Sequence, residues 1–547
     1  MPFPGNDYFE CLMLNPPADP IGVAWLAQTF SVPLSDGIPV VSGVGGRRAT
    51  EKQADGSRRE FYPENMRPAP HFAAHLQFHL RHEIAHLGFL ARLFEHSLAP
   101  EFIQQWIDAE PTGQYARRAA FLFEWLTGRS LVPPAKLSGG YVDVVDAQKM
   151  VAASPGRAVN VSRWRVRDNL PGSRDFCPMV FKLDEVNKAS NLDVAKLFEG
   201  LVDEFGNELL MRAAVWMTLR ESRASFTIEG ESDKLTRIKR FGRVMEQRTA
   251  QGDVPLNNQA LASLQREILG DVTTLTEFGI RQSPVFIGEV QRYQEVIHYV
   301  APPPDYIQAM LDGLQTFLDR TQGQSPVMRC AVAAFGFVYI HPLADGNGRV
   351  HRFLVNDILR RDAAVPEPVI LPISAVISAD ASEQRRYSQV LDRVSKPLMS
   401  QLSDYIQFDA TQTQYPDGVV SNFTCSGYDL FRPMWSYLDL GPHVIYLSSV
   451  IERTLREQMR DESSYLRMHT RARGAIKEIV EMPDVQVDRV LRSIEQNNGV
   501  LSGVLTKEMP VLAKDGIWDA ILAALREVAI EYSSDNEIVR NYPRGRP

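Results

Sequence analysis

The 547-residue chain has little of several features that mark particular classes of protein. It has four cysteines, which lie far apart and form no CxxC pair: Cys11, Cys177, Cys330 and Cys425. This spacing argues against a disulfide framework and against a cysteine-rich zinc site. No apolar run reaches the roughly 18 uncharged residues of a membrane span. The N-terminus lacks the basic and apolar regions of a secretory signal, so we expect a cytoplasmic protein.

The chain also lacks an excess of positive charge. Lysine and arginine total 59 against 67 aspartate and glutamate, which gives a net charge of −8. This balance argues against non-specific nucleic-acid binding and against a basic membrane-surface protein. A chain of this length is expected to form about two to four domains, with enough residues for substantial cores.

The most informative stretch begins with a predicted buried helix. Ser325 can cap a helix and Pro326 suits its first turn. Residues 327–340 are almost all apolar, which is typical of a helix surrounded by core. Because Pro342 stops the helix, we expect His341 at its last turn with few rotamers open to it.

The residues that follow predict a phosphate site. Gly346–Gly348 allows positive φ, and free backbone N–H groups before a new helix can bind an anion. Arg349 and Arg352 are three residues apart and share a helix face. Asp345 is the one carboxylate in this loop and could bind a hard cation. A base, a carboxylate, amides and two guanidiniums suit phosphate-ester chemistry; the alternative is a core histidine followed by a glycine-rich turn.

Two segments before this stretch have recognisable patterns. Residues 192–221 predict an amphipathic helix, which continues through Ser225 and Glu229 and ends at Gly230. A glutamate at a helix C-terminus is disfavoured by the helix dipole and invites a cationic partner. Residues 281–288 and 296–300 predict a β-hairpin, which the proline run 301–304 ends.

The N-terminal part contains a rival motif. His82-Glu83-Ile84-Ala85-His86 matches HExxH, which on a helix can bind zinc through two histidines with the glutamate as base. A zinc-dependent hydrolase is therefore the main alternative. The competing interpretation is structural histidines in a helical segment, and no third ligand stands at a spacing we recognise.

The C-terminal part is predicted to be helical beyond residue 440, with little pattern in residues 406–440. Residues 484–505 have the pattern of a helix–turn–helix with a stop at Asn498-Gly499. This pattern leaves open a winged-helix module for DNA or protein and a helical partner-binding domain.

Residues 341–352 resemble the signature of the Fic family, HPFx[D/E]GNGRxxR, and depart from it only at Leu343, where Phe is usual. Both residues are apolar, so the departure does not touch the chemistry. The resemblance covers about residues 195–405. It implies a mainly α fold: a Fic-type helical core with a β-hairpin flap, flanked by mostly helical N-terminal and C-terminal domains. The expected domains are 1–190, 191–405 and 406–547.

The resemblance also implies a reaction. Fic proteins typically transfer AMP from ATP to a hydroxyl side chain (Ser, Thr or Tyr) of a target protein, although a few members transfer other phosphate-containing groups. By this resemblance His341 is the catalytic base and Asp345 holds Mg²⁺. The implied phosphate-binding residues are Gly346, Asn347, Gly348, Arg349 and Arg352. A non-catalytic scaffold with the same fold is a further alternative.

Regulation is implied by a second match. Ser225 to Gly230 resembles the family's inhibitory motif [S/T]xxxE[G/N], on a helix expected at about residues 206–230. The resemblance implies that Glu229 pairs with Arg352 and blocks productive ATP binding. Family members with this glutamate can also remove AMP, which is expected here as a second activity.

The predicted hairpin resembles the family's flap, expected at residues 281–300. Phe286, Ile287 and Gly288 would bind a segment of the target protein as an added strand. The resemblance allows a homodimer, whereas no membrane partner is expected. Nucleic acid is expected only if the C-terminal part contains a winged-helix module.

Overall fold

A computed structural model of the chain describes residues 18–34, 37–53, 56–135, 137–228, 235–271, 273–291 and 294–533. The fold is mainly helical, as the sequence predicts, and the strands in these ranges form four small sheets. None of the helices in the described ranges is both long and apolar enough to cross a membrane.

The N-terminal part combines a four-stranded sheet with a helical cluster. Its elements are β1 (Asp19–Ile21), α1 (Val23–Phe30), β2 (Val40–Val44), β3 (Ala49–Lys52), β4 (Arg58–Tyr62), α2 (Phe72–His82), α3 (Leu87–Glu95), α4 (Ala99–Ala109), α5 (Gln114–Thr127), β5 (Val142–Asp143), β6 (Val159–Val161) and β7 (Val166–Asp168). The sheet has the order β1-β2-β4-β3, and only its β2–β4 pair is parallel. Helices α2 to α5 enclose an apolar core of their own.

The central part carries the signature stretch. Its elements are α6 (Asp184–Ser190), α7 (Val194–Phe205), α8 (Asn207–Ile228), α9 (Leu235–Arg248), α10 (Asn258–Leu269), β8 (Phe286–Gln291), β9 (Gln294–Val300), α11 (Pro304–Arg320), α12 (Pro326–Ile340), α13 (Asn347–Arg361), α14 (Ile373–Ile377) and α15 (Ala381–Leu402). The predicted hairpin forms, but its first strand begins at Phe286 rather than at Arg281. Its strands also include residues 289–291 and 294–295, which the alternation pattern assigned to a loop.

The C-terminal part contains a hairpin that the sequence did not predict. Its elements are β10 (Ile406–Gln414), β11 (Val420–Cys425), α16 (Tyr428–Ser436), α17 (Gly441–Arg453), α18 (Arg460–Ile479), α19 (Asp484–Gln496), α20 (Gly503–Glu508) and α21 (Ile517–Ser533). Helices α19 and α20 form the predicted helix–turn–helix pattern. No strand follows Cys425 in the described residues, so the wing of a winged helix is missing from residues 426–533.

One large apolar core surrounds α12 and α13. It includes residues from Val151 to Met459, so apolar packing continues across the predicted boundaries at 190 and 405. A separate small core joins α18 to α21. The domain limits given above therefore stay predictions, while the position of α12 at the centre of the largest core is clear.

Candidate active site

Helix α12 places His341 at the edge of the core. The Ser325 hydroxyl accepts a hydrogen bond from the Met328 backbone N–H at 3.2 Å, as expected of a cap. His341 follows the last helical residue as the C-cap, with left-handed backbone angles (φ 50°, ψ 56°). This conformation is unfavourable for a residue with a side chain and is typical of functional sites. The fold holds the imidazole there at the cost of local backbone strain.

The imidazole is set up to accept a proton. Its Nδ1 lies 3.2 Å from the Val338 carbonyl oxygen, and because a carbonyl can only accept, Nδ1 carries the ring proton. Nε2 therefore keeps its lone pair. Burial lowers the pKa of His341 to about 4, and the positive charge of Arg281 acts in the same direction. His341 is thus neutral at pH 7, with part of its surface open to solvent.

Arg281 fixes the position of His341. Its Nε donates to the His341 carbonyl oxygen at 2.8 Å, and its backbone N–H donates to the Pro342 carbonyl at 2.8 Å. Burial lowers the pKa of Arg281 to about 10, which still leaves the guanidinium charged at pH 7. Next to it, Ile280 and Leu343 form an antiparallel bridge. The segment before the flap therefore holds the signature loop by its backbone.

The start of α13 provides the predicted anion site. Gly346 has φ 94° and precedes the first helical residue, Asn347. The N–H groups of a helix's first turn have no acceptor within the helix, and the helix dipole adds positive charge there. Gly346–Gly348 thus presents amides in the way that a phosphate requires.

The Asn347 side chain binds the backbone of the loop, whereas the sequence predicted that Asn347 binds phosphate. Its Oδ1 accepts from the Leu343 N–H at 3.0 Å, and its Nδ2 donates to the Leu343 carbonyl at 2.7 Å. Both polar ends of the amide are occupied within the loop. Asn347 therefore shapes the loop through its side chain, and its contribution to an anion site is its backbone N–H.

Asp345 lies at the exposed point of the loop. Gln265, which is buried, donates from Nε2 to the Asp345 carbonyl at 2.8 Å and accepts from the Gly279 N–H at 2.7 Å. The Asp345 carboxylate itself faces solvent. One exposed carboxylate beside a phosphate site fits Mg²⁺, which usually takes one or two carboxylates together with substrate phosphate.

The two signature arginines are buried against α8. The guanidinium of Arg349 lies over the Phe226 ring, 4.8 Å from its centroid. Arg352 donates from Nε to the Ser225 hydroxyl at 2.6 Å and from a terminal nitrogen to the Ser225 carbonyl at 3.4 Å. Ser225 is thus in contact with the second signature arginine, whereas the motif resemblance implies that contact for Glu229. Glu229 and Gly230 lie outside the described residues, because the described part of α8 ends at Ile228.

A buried glutamate on α8 lies one turn before Ser225. Glu221 is fully buried, and its carboxyl oxygens accept from the Ser374 N–H at 2.7 Å and the Ser374 hydroxyl at 2.6 Å. Burial raises the pKa of Glu221 to about 7, although these hydrogen bonds and the charge of Arg352 oppose the shift. Helix α8 is therefore held to α14 by a carboxyl group that titrates near neutral pH.

The flap residues differ in their exposure. Phe286 packs on the large core, whereas Ile287 is 41% exposed and Gly288 is open to solvent. The strand register shifts between Ile287 and Gly288. A Cβ on Gly288 would lie 2.5 Å from the Val296 carbonyl oxygen, so the partner strand leaves room only for glycine. The flap presents an apolar side chain and a bare stretch of backbone next to each other.

The HExxH motif does not form a metal site, and the helical reading of it is wrong. Helix α2 ends at His82, Glu83 is extended, and His86 precedes α3. The two histidines therefore do not lie on one helix. Among the described residues no group of three or more His, Cys, Asp or Glu side chains could hold a metal ion. The zinc-hydrolase alternative is therefore not favoured.

These residues instead satisfy the ends of helices. The Glu83 carboxylate accepts from the Val23 N–H at 2.8 Å, at the first residue of α1, and from His79 Nδ1 at 2.8 Å. His86 Nδ1 accepts from the Phe89 N–H at 3.1 Å at the start of α3. His71 caps α2 in the same way through the Ala74 N–H. The histidine content of this segment reflects capping.

Sequence reasoning missed three residues that position the site: Gln265, Arg281 and Glu221. Each reaches its partner across a large sequence separation, namely 80 residues for Gln265, 60 for Arg281 and 153 for Glu221. No local spacing marks such residues. Arg281 lay inside the predicted hairpin, but nothing in the pattern distinguished it from its neighbours.

One stretch of the chain is similar to known proteins. Residues 255–359 match the model of the Fic/DOC family. Protein adenylyltransferase fic-1 of Caenorhabditis briggsae is 30% identical over 115 residues, which are 21% of this chain and 20% of that protein. Protein adenylyltransferase Fic of Drosophila grimshawi is 33% identical over 114 residues, 20% of this chain and 21% of that protein. The chain thus spans about a fifth of the length of these relatives.

Two solved structures are also similar. A Fic family protein from Desulfovibrio desulfuricans is 16% identical, with 59% of this chain and 87% of that chain covered at a TM-score of 0.30. A Fic domain-containing signalling protein from Bacteroides thetaiotaomicron is 18% identical, with 50% and 97% covered at a TM-score of 0.33. The assignment rests on the family model and the sequence relatives. The similarity to the Fic/DOC family is thus confined to residues 255–359, which contain the signature loop.

Proposed function

We propose that this chain is a protein adenylyltransferase that transfers AMP from ATP to a Ser, Thr or Tyr hydroxyl of a target protein. The observation that carries the proposal is the neutral His341, with an unprotonated Nε2, at one end of a short loop whose other end is the amide-rich start of α13. The names of the adenylyltransferase relatives support the same reaction.

In the proposed step the target hydroxyl oxygen attacks the α-phosphorus of ATP. A new oxygen–phosphorus bond forms, the bond from the α-phosphorus to the bridging oxygen breaks, and pyrophosphate leaves. His341 Nε2 takes the hydroxyl proton as the bond forms. The left-handed conformation and the Arg281 hydrogen bond keep the imidazole at the loop entrance.

The remaining residues bind and neutralise the triphosphate. The backbone N–H groups of Gly346–Gly348 would bind phosphate oxygens, and Arg349 and Arg352 would neutralise the outer phosphates. Asp345 would hold Mg²⁺, which would supply additional neutralisation of the phosphate charge. Positioning and charge neutralisation provide most of the rate in phosphate transfer, so this set is sufficient for the chemistry.

Helix α8 would hold the enzyme in an inhibited state. Arg352 donates to Ser225 in this structure, and we propose that Glu229, four residues later in the sequence, pairs with the same guanidinium. A hydrogen bond of a charged group contributes about 1.5–3 kcal/mol. That energy corresponds to an approximately tenfold to hundredfold loss of productive ATP binding.

The proposal is tested by labelling with ATP that carries a radioactive α-phosphate. With Mg²⁺, the Glu229→Gly chain should label itself or a protein in a cell lysate at least about tenfold faster than wild type. Glu208→Ala, an exposed carboxylate at the start of the same helix, is the matched control and should behave as wild type.

Two outcomes would count against the proposal. If the Glu229→Gly chain labels no faster than wild type, Glu229 does not inhibit. If neither chain labels any protein while both bind ATP, the chain does not transfer AMP. Mass spectrometry of the labelled protein identifies donor and acceptor together, since it gives both the added mass and the modified residue.

Removal of AMP is the second activity that we propose, with Glu229 aligning the attacking water. It is tested on the labelled target, purified and freed of ATP. Wild type should release AMP from it and Glu229→Gly should not. Release at equal rates would exclude this role for Glu229.

A further inference from the structure

The hairpin β10–β11 lies outside the family match, yet it is bound to the base of the flap. Asp417, in its turn, accepts three hydrogen bonds from the segment before β8: from the Gln282 N–H at 2.8 Å, the Ser283 N–H at 3.0 Å and the Ser283 hydroxyl at 2.8 Å. Asp417 is 2% exposed. Thr276 adds hydrogen bonds to the same turn through its N–H and its hydroxyl.

Arg281 connects the segment bound by this turn to the end of α12. Besides the His341 carbonyl, its guanidinium donates to the Ser283 carbonyl at 2.6 Å and to the Pro302 carbonyl at 2.5 Å. Ser283 precedes the flap and Pro302 follows it. The base of the flap is therefore fixed on one side by Arg281, next to His341, and on the other side by Asp417.

The two hairpins also share an aromatic contact. Phe286 of the flap lies 5.6 Å from Phe408 of β10 and 5.0 Å from Phe423 of β11, measured between ring centroids. Phe423 is 1% exposed, whereas Phe408 keeps 41% of its surface open. A ring with a buried neighbour and an exposed edge is held in place without being covered.

The surface of these hairpins combines exposed apolar side chains with uncharged polar ones, and the flap also bears the exposed Glu289 and His298, whose side chains lie 3.5 Å apart. Val420 of β11 is 52% exposed and Ile287 of the flap is 41% exposed, in addition to Phe408. Strand β10 contains one charged residue, Asp409, and is exposed along most of its length. An apolar side chain of a partner would bury surface against Phe408.

We propose that the two hairpins form one surface on which the target protein docks. Asp417 is a positioning residue that sets the flap relative to His341, and the exposed edge of Phe408 receives a large apolar side chain of the target. The occupant is the target because this surface continues the flap backbone, to which the target strand would pair. The inference rests on the proposed AMP transfer and extends it to the recognition of the target.

The experiment uses the full chain carrying Glu229→Gly and, as substrate, the purified protein that this chain labels in a lysate. Phe408→Ser should raise the KM for that protein about tenfold and leave kcat within about twofold, because the side chain contributes to binding and not to the chemical step. Val485→Ser, at a residue of α19 that is 80% exposed, is the matched control and should leave KM unchanged.

Asp417 is tested by two variants and two measurements. Asp417→Ala should raise the KM for the target about tenfold and speed hydrogen–deuterium exchange of the flap amides, with the affinity for a fluorescent ATP analogue unchanged. Asp417→Asn keeps an oxygen that accepts from Ser283 and should recover most of the KM. An unspecific structural defect would instead weaken ATP binding and lower the melting temperature in both variants.

Three results would overturn the inference. An unchanged KM in Phe408→Ser would show that the target makes no apolar contact there. Unchanged hydrogen–deuterium exchange of the flap in Asp417→Ala would show that Asp417 does not position the flap. If Phe408→Ser dissociates an oligomer seen by light scattering, the surface joins copies of this chain instead. Failure of the proposed function is distinguishable, since the Glu229→Gly chain would then transfer no AMP to any protein, while flap exchange would still report on Asp417.

Discussion

Two regions of this protein contain a histidine at a helix end, and each also contains a buried glutamate. Around the signature loop these are His341, which is partly exposed, and Glu221; in the N-terminal part they are His86, which is buried, and Glu83. Burial lowers the pKa of both histidines, to about 4 for His341 and about 3 for His86. Neither burial nor pKa therefore distinguishes a catalytic histidine from a structural one.

What distinguishes them is the direction of the hydrogen bond at Nδ1. His341 donates there to the Val338 carbonyl, so Nε2 keeps the lone pair that accepts a proton. His86 accepts there from the Phe89 N–H, so the ring nitrogen left over carries the proton. A C-terminal helix end offers carbonyls and an N-terminal end offers N–H groups. The helix end that a histidine occupies therefore decides whether it can act as a base.

The largest effect should come from exchanging the two histidines for alanine, one at a time, in the Glu229→Gly chain. His341→Ala should slow AMP transfer by about 10²–10⁴-fold, the usual contribution of a general base. His86→Ala should leave the rate per folded molecule within about twofold and lower stability through the lost cap. Single-turnover labelling and thermal unfolding measure the two quantities.

The controls for this pair keep the result interpretable. His341→Ala must still bind a fluorescent ATP analogue, because the phosphate site lies on α13. His82→Ala, on the other side of the helix break, serves as a second silent variant. Transfer that survives in His341→Ala would show that the base is misassigned, and transfer lost in His86→Ala would end the contrast between the two regions.

The next largest effect concerns the glutamate of the N-terminal region. Glu83→Ala should lower the free energy of unfolding by about 2–3 kcal/mol, because the Val23 N–H and His79 would lose a buried carboxylate partner. Urea unfolding measures this change. AMP transfer per folded molecule should stay the same. A stable Glu83→Ala protein that has lost an activity would restore a catalytic reading of the HExxH motif.

The low pKa of His341 predicts the pH dependence of transfer. A histidine with an ordinary pKa near 6.5 would lose about tenfold of its neutral form by pH 5.5. With a pKa of about 4, His341 stays neutral there. At saturating ATP and target, the rate at pH 5.5 should therefore stay within about twofold of the rate at pH 7.5. A tenfold fall that follows a pKa near 6.5 would contradict the burial of the imidazole.

The same shifts set the sign of a stability change. The unfolded chain binds protons at both histidines below pH 6.5, whereas the folded chain does so only near pH 3–4. The stability that the neutral histidines contribute is therefore complete above pH 6.5 and is lost as the pH falls toward 4. Unfolding in urea at pH 7 and pH 5 should show the decrease, and His86→Ala should reduce it.

The sequence predicted those parts of the molecule whose causes are local. The cap at Ser325, the apolar run after it and the proline after His341 are neighbours along the chain, and α12 begins and ends as they predict. The same kind of pattern misled us in the N-terminal part. Leu80, Ile84 and Leu87 recur at helix spacing and are all buried, although the helix breaks at Glu83 between them.

Other parts had no local signal. Strand β10 is exposed on both faces, so it lacks the alternation that marks a half-buried strand. Asp417 reaches Ser283 across 134 residues, and Arg281 reaches His341 across 60. These contacts form only when the chain folds, so neither composition nor periodicity predicts them.

The smallest effect should come from Glu221, the glutamate of the Fic region. Its pKa of about 7 exceeds the ordinary value of 4.5, so the folded chain holds a proton that the unfolded chain releases between these values. The stability from the protonated carboxyl is lost as the pH rises through 7. Glu221→Gln, which is always neutral, should raise the melting temperature by about 1–3 °C more at pH 8 than at pH 5. If the glutamine destabilises the protein equally at both pH values, the Glu221 carboxylate is charged in the folded state. Its attraction to Arg352 then outweighs the cost of its burial.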